Sequence, residues 1–384
     1  MVEAPRFTRS NRIRVFAACT ILAAIVSAFV IRVSRDMRDL EVPWTAGVRA
    51  SVAEPLYRAE DEHYQFKYLP AFAVLAIPLG MLPIQVAKGT WFVGSVVLLI
   101  ALIVLSIRLL PEQRKPTTIL VVNAIVVLAK FYARELDMGQ VNLPFALAVT
   151  GALLAMKTKR DMLASALIVL SIAIKPYGAL LLPVVLVRRQ RAAIVATAVG
   201  CLLLLLLPVP LYGWSGTVGL HQSWWATVTE TTAPNLLNPD NVSLASMYGK
   251  WFGISRLSTV LAAASSLVLL AGVMMVFLRR QSVAFPEGLE GSLLLLLIPL
   301  LSPQGWDYVL LIATPAVVYL ANYLDRLPRP LRAMTVVAGL TIGLSLFDIM
   351  GRAAYAAFMG MAIISICALV LVAALTTLRL KAVA

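Results

Sequence analysis

The sequence predicts an all-α polytopic membrane protein, and three observations lead to that prediction. First, 60% of its 384 residues are hydrophobic and only 14% are charged. Second, apolar runs of roughly 18 residues or more, the length that crosses a bilayer core, recur along the chain. Third, the Lys and Arg residues are concentrated in short segments between those runs. Because a backbone in lipid must satisfy its own hydrogen bonds, each run is expected to be helical.

The distribution of charge predicts which loops face the cytoplasm. Seven basic segments hold 20 Lys and Arg against 6 Asp and Glu, whereas the rest of the chain holds 13 of each sign. Short cytoplasmic loops favour Lys and Arg, so we assign these segments to the inside. The net charge of +14 then reflects membrane topology and requires no nucleic acid. The segments are 1–14, 108–116, 157–161, 188–191, 279–290, 325–332 and 379–381.

This assignment predicts about twelve transmembrane helices in a cell (plasma) membrane protein with both termini in the cytoplasm. We interpret the chain as one domain, 1–384, with large outer loops at 34–87 and 213–257. A tight outer turn at 175–176 must separate two short spans. The predicted spans are 13–33, 88–109, 117–133, 142–156, 162–174, 176–187, 192–212, 258–278, 289–301, 308–324, 331–349 and 354–378.

One apolar run does not fit this map as a span. The stretch "KYLPAFAVLAIPLGMLP" (67–83) is interrupted by Pro70, Pro78 and Pro83. If it crossed the membrane, every later basic loop would face outward. We therefore predict interfacial helices in the first outer loop, lying at the outer membrane surface.

The polar residues outside the spans favour a substrate that arrives through the membrane. No Gly-rich phosphate loop is present in the sequence, and the cytoplasmic loops are too short for a nucleotide-binding domain. The three cysteines lie far apart within apolar runs and suggest neither a disulfide framework nor a metal site. The acidic run "EDEH" (60–63) has residue types that bind divalent ions, but a solvated charge run explains it better, and we predict no metal and no cofactor.

Several outer residues have both a functional and a simpler interpretation. Asp36 and Asp39 are either solvated helix-end residues or a general base at the lipid–water boundary. Gln140 and Asn142 either bind sugar hydroxyls or cap a turn. Charged residues at the outer ends of spans are costly, and they either extend toward the headgroups or bind an anionic group such as a lipid phosphate. These cations are Lys67, Lys130, Arg134, Lys175 and Arg352.

The segments "DLEVPWTAGVRASVAEPLY" (39–57) and "FKYLPAFAVLAIPLGMLP" (66–83) resemble the opening of glycosyltransferase family 87. Later motifs follow in the order typical of that family, so the resemblance covers roughly 36–325. Three departures are Pro43-Trp44 for an aromatic pair, a single proline at Pro70, and Tyr308 where the family often has His. The later motifs are "GQVN" (139–142), "KPYGALLLP" (175–183), "NVS" (241–243) and "SPQGWDY" (302–308).

The resemblance implies a C-type glycosyltransferase helix bundle with its active site on the outer face. It implies a polyprenyl-phosphate sugar donor carrying mannose, a related hexose or arabinose, and an envelope glycan or glycolipid acceptor. Asp39 matches the catalytic position. Lys175 and Arg134 are the first candidates for binding the donor phosphate, followed by Lys67 and Arg352. The candidate substrate-binding residues are Gln140, Asn142, Asn241, Trp306, Asp307 and Tyr308.

These residues predict an inverting single displacement in which Asp39 takes the proton of the acceptor hydroxyl. A phosphate leaving group needs cations rather than an acid, so one carboxylate is sufficient. The alternative function is a transporter or flippase of lipid-linked sugars. Transporters usually place ionisable groups near the bilayer midplane and contain internal repeats, whereas these span centres are nearly free of charge.

Overall fold

A computed structural model describes residues 27, 33–280, 283 and 285–381 of the chain. Across these residues the fold is helical, and the β structure is an isolated antiparallel bridge between Asn241 and Trp306. The predicted all-α class is therefore confirmed. Most of the predicted first span, 13–33, lies outside the described residues.

The longer segments are α-helices, separated by short 3₁₀ turns. The helices are α1 Arg38–Ser51, α2 Pro70–Leu75, α3 Ile77–Gly80, α4 Ile84–Leu109, α5 Thr117–Met138, α6 Asn142–Lys157, α7 Asp161–Ile174, α8 Leu182–Val187, α9 Arg191–Leu206, α10 Val209–Glu230, α11 Leu244–Phe252, α12 Arg256–Leu278, α13 Pro286–Leu301, α14 Thr314–Tyr323, α15 Arg329–Leu344, α16 Phe347–Met350, α17 Arg352–Gly360 and α18 Ile363–Leu380. A single helical turn, Ser34–Asp36, precedes α1. The 3₁₀ segments are Ala59–Tyr64, Pro176–Leu181, Ala233–Asn235, Asp307–Ala313 and Leu324–Arg326.

Helix α13 forms the centre of the bundle. It is buried from Pro286 to Leu300 and contacts α6, α12, α14 and α18. Helix α4, in contrast, lies at the periphery and exposes Val93, Val97 and Ile100. Their spacing of four and three residues puts these side chains on one helical face. An exposed apolar face of this kind is what a lipid-facing helix presents.

The number of spans is not confirmed. Four helical segments of the described chain are long and apolar enough to cross a membrane, and α9 with the segment after it counts as a fifth if the bent pair is one span. Helices α6 and α7 are only 16 and 14 residues long. A span perpendicular to a bilayer needs about 20 residues. The four segments are Ile84–Leu109, Arg256–Leu278, Asp307–Arg326 and Ile363–Leu380.

Residues 67–83 form short helices, as the prolines predicted. Helix α2 has six residues and begins at Pro70, and α3 has four and contains Pro78 in its first turn. Neither is long enough to cross a membrane. Helix α1 packs closely against this pair, because a Cβ atom at Gly47 would lie 2.3 Å from the carbonyl oxygen of Ala76. The pair therefore supports the helix that precedes it.

One predicted outer loop and two predicted spans differ from the structure. The predicted outer loop 213–257 is largely helical, since it contains most of α10 and all of α11. The predicted span 192–212 is interrupted, because the chain bends by 86° between α9 and the segment that begins with α10. The predicted span 354–378 is broken between α17 and α18, where Ala362 has a left-handed φ of 54°. Hydropathy alone did not reveal either break, because the residues on both sides are apolar.

Charged residues from three predicted cytoplasmic loops meet at one end of the bundle. Arg188 binds Asp161 at 2.8 Å and Glu287 at 2.7 Å. Arg280 also binds Glu287, at 2.8 Å. Asp161 begins α7, whereas Lys175 follows its last residue, so these two groups lie at opposite ends of that helix. The loops 157–161, 188–191 and 279–290 therefore share one end of the molecule.

Candidate functional site

A cleft of about 440 Å³ opens at the other end of the bundle, where α5, α7 and α13 end. It brings together residues from distant parts of the chain, including seven of the predicted site residues. Those seven are Asp39, Lys67, Arg134, Gln140, Lys175, Trp306 and Tyr308. The remaining lining residues are Val42, His63, Tyr64, Gln65, Tyr68, Met138, Pro176, Tyr177, Trp224, Val228, Asn238, Asp240 and Gln304.

Asp39 lies in the first turn of α1, half-buried at the cleft wall. The partial positive charge of a helix N-terminus favours a carboxylate there. Pro43 has no backbone N–H and so cannot donate to the carbonyl of Asp39, four residues earlier. The Asp39 side chain accepts a 2.5 Å hydrogen bond from Nε2 of Gln140. The same nitrogen donates to the hydroxyl of Tyr308 at 3.3 Å.

Gly139 places Gln140 beside Asp39. It ends α5 in the left-handed conformation, with φ 70°, which glycine adopts without steric cost. A Cβ atom at this position would lie 2.8 Å from Cβ of Leu40, the neighbour of Asp39 in α1. The turn after α5 can therefore approach α1 closely only because residue 139 has no side chain.

Lys175 occupies the break between α7 and the Pro176–Leu181 turn. The residue before a proline is disfavoured in the helical region, and Lys175 is extended with φ −144° and ψ 129°. Its ammonium donates to Oδ1 of Asn142 at 2.6 Å and lies 6.0 Å from the ring centre of Tyr177. The predicted turn at 175–176 thus directs the lysine side chain to the cleft.

Lys67 reaches the cleft from the segment that precedes α2. The ring nitrogen of Trp224 in α10 donates to its backbone carbonyl at 3.2 Å. Helix α10 therefore forms part of the cleft wall, and Trp224 is a cleft residue. The Lys67 ammonium has no ion-pair partner among the residues that the structure describes.

Arg134 is already neutralised by two carboxylates. Its Nη2 donates to Asp240 at 2.6 Å and its Nη1 to Asp307 at 2.9 Å. The guanidinium also lies 5.0 Å from the ring centre of Tyr308. Lys130 adds a second cation at 3.1 Å from Asp307. Arg134 thus joins the loops that carry the two acids.

The loops at 238–243 and 302–307 pair with each other through their backbones. The amide of Val242 donates to Gly305 at 2.7 Å, and the amide of Asp307 donates to Asp240 at 2.8 Å. The buried side chain of Asn241 donates to the carbonyls of Asn235 and Pro303 at 3.1 and 2.8 Å. This pairing sets the positions of Asp240 and Asp307 on either side of Arg134.

Burial and charge act in opposite directions on the cleft residues. Burial raises the pKa of Asp39, while the Gln140 hydrogen bond and the nearby cations act to lower it. Burial lowers the pKa of Lys175 to about 8, against the opposing effects of Glu135 and Asp39. Burial also lowers the pKa of Lys67, and the charge of Asp39 opposes this. A cleft with these groups can accept a proton and bind an anion.

Four predicted site residues do not line the cleft. Arg352 is exposed at the start of α17. Asn142 and Asn241 are buried and use their amides in hydrogen bonds within the protein. Asp307 is fully buried between Arg134 and Lys130. The side chains of Asn142, Asn241 and Asp307 are thus bound within the protein, and Arg352 is not among the residues that line the cleft.

Sequence reasoning missed other residues of the site. His63 lines the cleft although its acidic neighbours had suggested only a solvated run. Asp240, and Glu135 behind the lining, were not predicted, because the charged groups interpreted at the span ends were the cations. The rule that charges at membrane depth are paired or functional applies equally to acids and could have identified Glu135. No cluster of three His, Cys, Asp or Glu side chains suited to a metal ion is found in the described part of the chain.

Comparison with known proteins identifies a family. The model of the family described as glycosyltransferase family 87 matches residues 66–303, more than half of the chain. The matched range includes Lys67, Arg134, Gln140 and Lys175 but not Asp39. No curated protein and no solved structure matches the chain.

Proposed function

The chain belongs to glycosyltransferase family 87, and we propose that it moves a hexose such as mannose, or an arabinose, from a polyprenyl-phosphate donor. The acceptor is an envelope glycan or glycolipid. The protein is a membrane glycosyltransferase, and within that class we propose a C-type helix bundle in the plasma membrane with its cleft on the outer face. The observation that carries the proposal is the joint presence of Asp39, Lys67 and Lys175 around one cleft.

Asp39 is the proposed general base. In the reaction, its carboxylate accepts the proton of the acceptor hydroxyl while the hydroxyl oxygen bonds to the anomeric carbon of the sugar. The bond from that carbon to the phosphate oxygen breaks, and its electron pair leaves with the polyprenyl phosphate. Attack from the side opposite the phosphate inverts the configuration. No carboxylic acid is needed, because a phosphate leaves without protonation.

Lys175 and Lys67 are the proposed partners of the donor phosphate. An ammonium has three N–H donors, and within the described residues Lys175 uses one of them for Asn142. Arg134 is no longer a first choice, because Asp240 and Asp307 already bind its terminal nitrogens. We propose that Arg134 instead organises the two loops, while the lysines compensate the developing negative charge.

Trp306 and Gln140 are the proposed contacts of the transferred sugar. The Trp306 ring is nearly parallel to that of Tyr308, with an interplanar angle of 5°. An aromatic face of this kind can pack against a sugar ring. Gln140 lines the same cleft and donates a hydrogen bond to Asp39, so it can orient the base. Tyr308, which stands where the family often has His, contributes a hydroxyl that accepts from Gln140.

The purified protein in liposomes provides the test. It receives polyprenyl phosphate carrying radiolabelled mannose, glucose or arabinose, together with an acceptor extract of envelope glycolipids. We expect label to pass from one of these donors to the acceptor. Movement of intact donor across the bilayer without transfer would favour the flippase. Transfer from nucleotide sugars alone would overturn the proposed donor class.

A further inference from the structure

Glu135 is a buried acid that the proposed reaction does not use. It lies in the last turn of α5, is fully buried and does not line the cleft. Its Oε1 accepts from the backbone amide of Leu143 at 2.8 Å. Its Oε2 accepts from the side-chain amide of Asn142 at 2.7 Å. Burying a carboxylate is costly, and burial raises the pKa of Glu135 to about 7, while these two bonds and the charge of Lys175 act to lower it.

Asn142 connects Glu135 to Lys175. Its Nδ2 donates to Glu135, and its Oδ1 accepts the 2.6 Å bond from the Lys175 ammonium. The orientation of this amide follows from its partners, because a carboxylate only accepts and an ammonium only donates. The three side chains therefore form a directed chain of hydrogen bonds from a buried acid to a cleft cation.

Lys175 and Asp39 form no direct bond with each other in the part of the chain that the structure describes. Among the described residues, Asp39 accepts from Gln140 and makes no salt bridge. Burial opposes the charge of Lys175, and Glu135 and Asp39 are the two acids that favour it. The other titratable groups that line the cleft with Lys175 are His63, Tyr64, Lys67, Tyr68, Arg134, Tyr177, Asp240 and Tyr308. If Glu135 compensates the lysine, Asp39 remains available for the acceptor proton.

We propose that Glu135 is a positioning residue that acts through Asn142 to hold the Lys175 ammonium, in its charged form, at the site of the donor phosphate. This inference rests on the proposed function, because it assigns the anion that Lys175 meets. The two acids then have separate tasks. Asp39 serves the acceptor, and Glu135 serves the leaving group without touching it.

The test compares Glu135→Gln with the wild-type protein across pH. The probe is a short-chain polyprenyl phosphate, whose binding is measured by calorimetry in detergent, and transfer is measured in parallel. Removing the acid makes the Lys175 proton easier to lose. We therefore expect the alkaline limb of both profiles to move to lower pH and the donor KM at pH 8 to rise about 10-fold. Asp137→Asn is the control, because it removes another carboxylate of α5 that does not line the cleft. The alkaline limbs of its binding and transfer profiles should not move.

A double variant separates positioning from a merely structural role. In Glu135→Gln with Asn142→Asp, the new glutamine can still accept from Leu143 and donate to residue 142, while the acid moves next to Lys175. We expect this variant to return the alkaline limb toward the wild-type pH. Glu135→Gln with an unmoved limb, or a double variant with no recovery, overturns the inference while wild-type transfer stands. Absence of polyprenyl phosphate binding by the wild-type protein overturns both this inference and the proposed function.

Discussion

At the scale of single residues, the partners of the acids distinguish their roles. Asp240 and Asp307 bind Arg134, so both carboxylates are already engaged by a cation of the protein. Asp39 instead accepts from the neutral amide of Gln140. Asp36, three residues earlier, is exposed and does not line the cleft. Of these acids, Asp39 is therefore the best suited to accept a proton from a substrate.

Replacing Asp39 by asparagine should remove the base and keep the shape of the side chain. We expect single-turnover transfer to fall by about 10²- to 10⁴-fold, the usual effect of losing a general base, with little change in donor binding. Asp36→Asn is the matched control and should retain most of the activity. Full activity of Asp39→Asn would end the proposed mechanism, and loss in Asp36→Asn alone would assign the base to Asp36.

The raised pKa of Asp39 gives a pH prediction. The base works only when ionised, so kcat/KM should fall as pH drops through a pKa above the ordinary value for Asp. Gln140 stabilises the carboxylate, and Gln140→Leu should raise that pKa further and move the acid limb to higher pH. Tyr308→Phe keeps the Asp39–Gln140 bond and should move the limb less. The pH profile of kcat/KM measures this, and equal limbs in all three proteins would contradict it.

The individual residues of the site could be predicted more readily than the hydrogen bonds and ion pairs between them. Asp39, Lys175 and Gln140 were identified because their motifs and their places at span ends are visible in the local sequence. The pairing of Arg134 with Asp240 and Asp307 joins residues more than 100 positions apart. No local pattern encodes such a pair, and Arg134 was therefore first interpreted as a phosphate ligand.

At the scale of elements, the paired loops at 238–243 and 302–307 determine one wall of the cleft. Asn241→Ala removes three side-chain hydrogen bonds and leaves the carbonyls of Asn235 and Pro303 and the buried amide of Ser243 without that partner. We expect it to destabilise the protein by about 1–3 kcal/mol for an unsatisfied buried group and to lower transfer. Thermal unfolding in detergent measures the first effect.

Asn235→Ala provides the comparison for this prediction. It removes one partly buried hydrogen bond, to the carbonyl of Thr231, and should lower the unfolding temperature less. If both variants unfolded like the wild-type protein, the pairing of the two loops would not depend on Asn241.

Element boundaries were predicted well where proline sets them. Pro70 and Pro78 gave the short helices α2 and α3, and Pro176 gave the break that follows α7. The helical character of 213–257 was missed, because its polar and aromatic composition resembles that of an interfacial loop. The break at Ala362 was missed as well, because a non-glycine residue in the left-handed conformation has no sequence signal.

At the scale of the whole molecule, the cleft and the Arg188 network lie at opposite ends of α7. A cysteine at Ala233 should therefore react with an impermeant maleimide added to intact cells. A cysteine at Lys159 should react only after the membrane is permeabilised. Both are introduced after Cys19, Cys201 and Cys367 are replaced by alanine. The reverse pattern of labelling would put the cleft in the cytoplasm and exclude the proposed outer-face reaction.

The contact between Gly47 and the backbone at Ala76 matters for protein engineering. The transferred sugar takes no part in this contact, so the geometry of the contact should suit any donor that the cleft accepts. A side chain at residue 47 would push α1 away and carry Asp39 with it, which would alter the reaction distance rather than the choice of sugar. A mutant library for a new sugar should keep Gly47 and diversify positions on the cleft surface, such as His63 and Asn238.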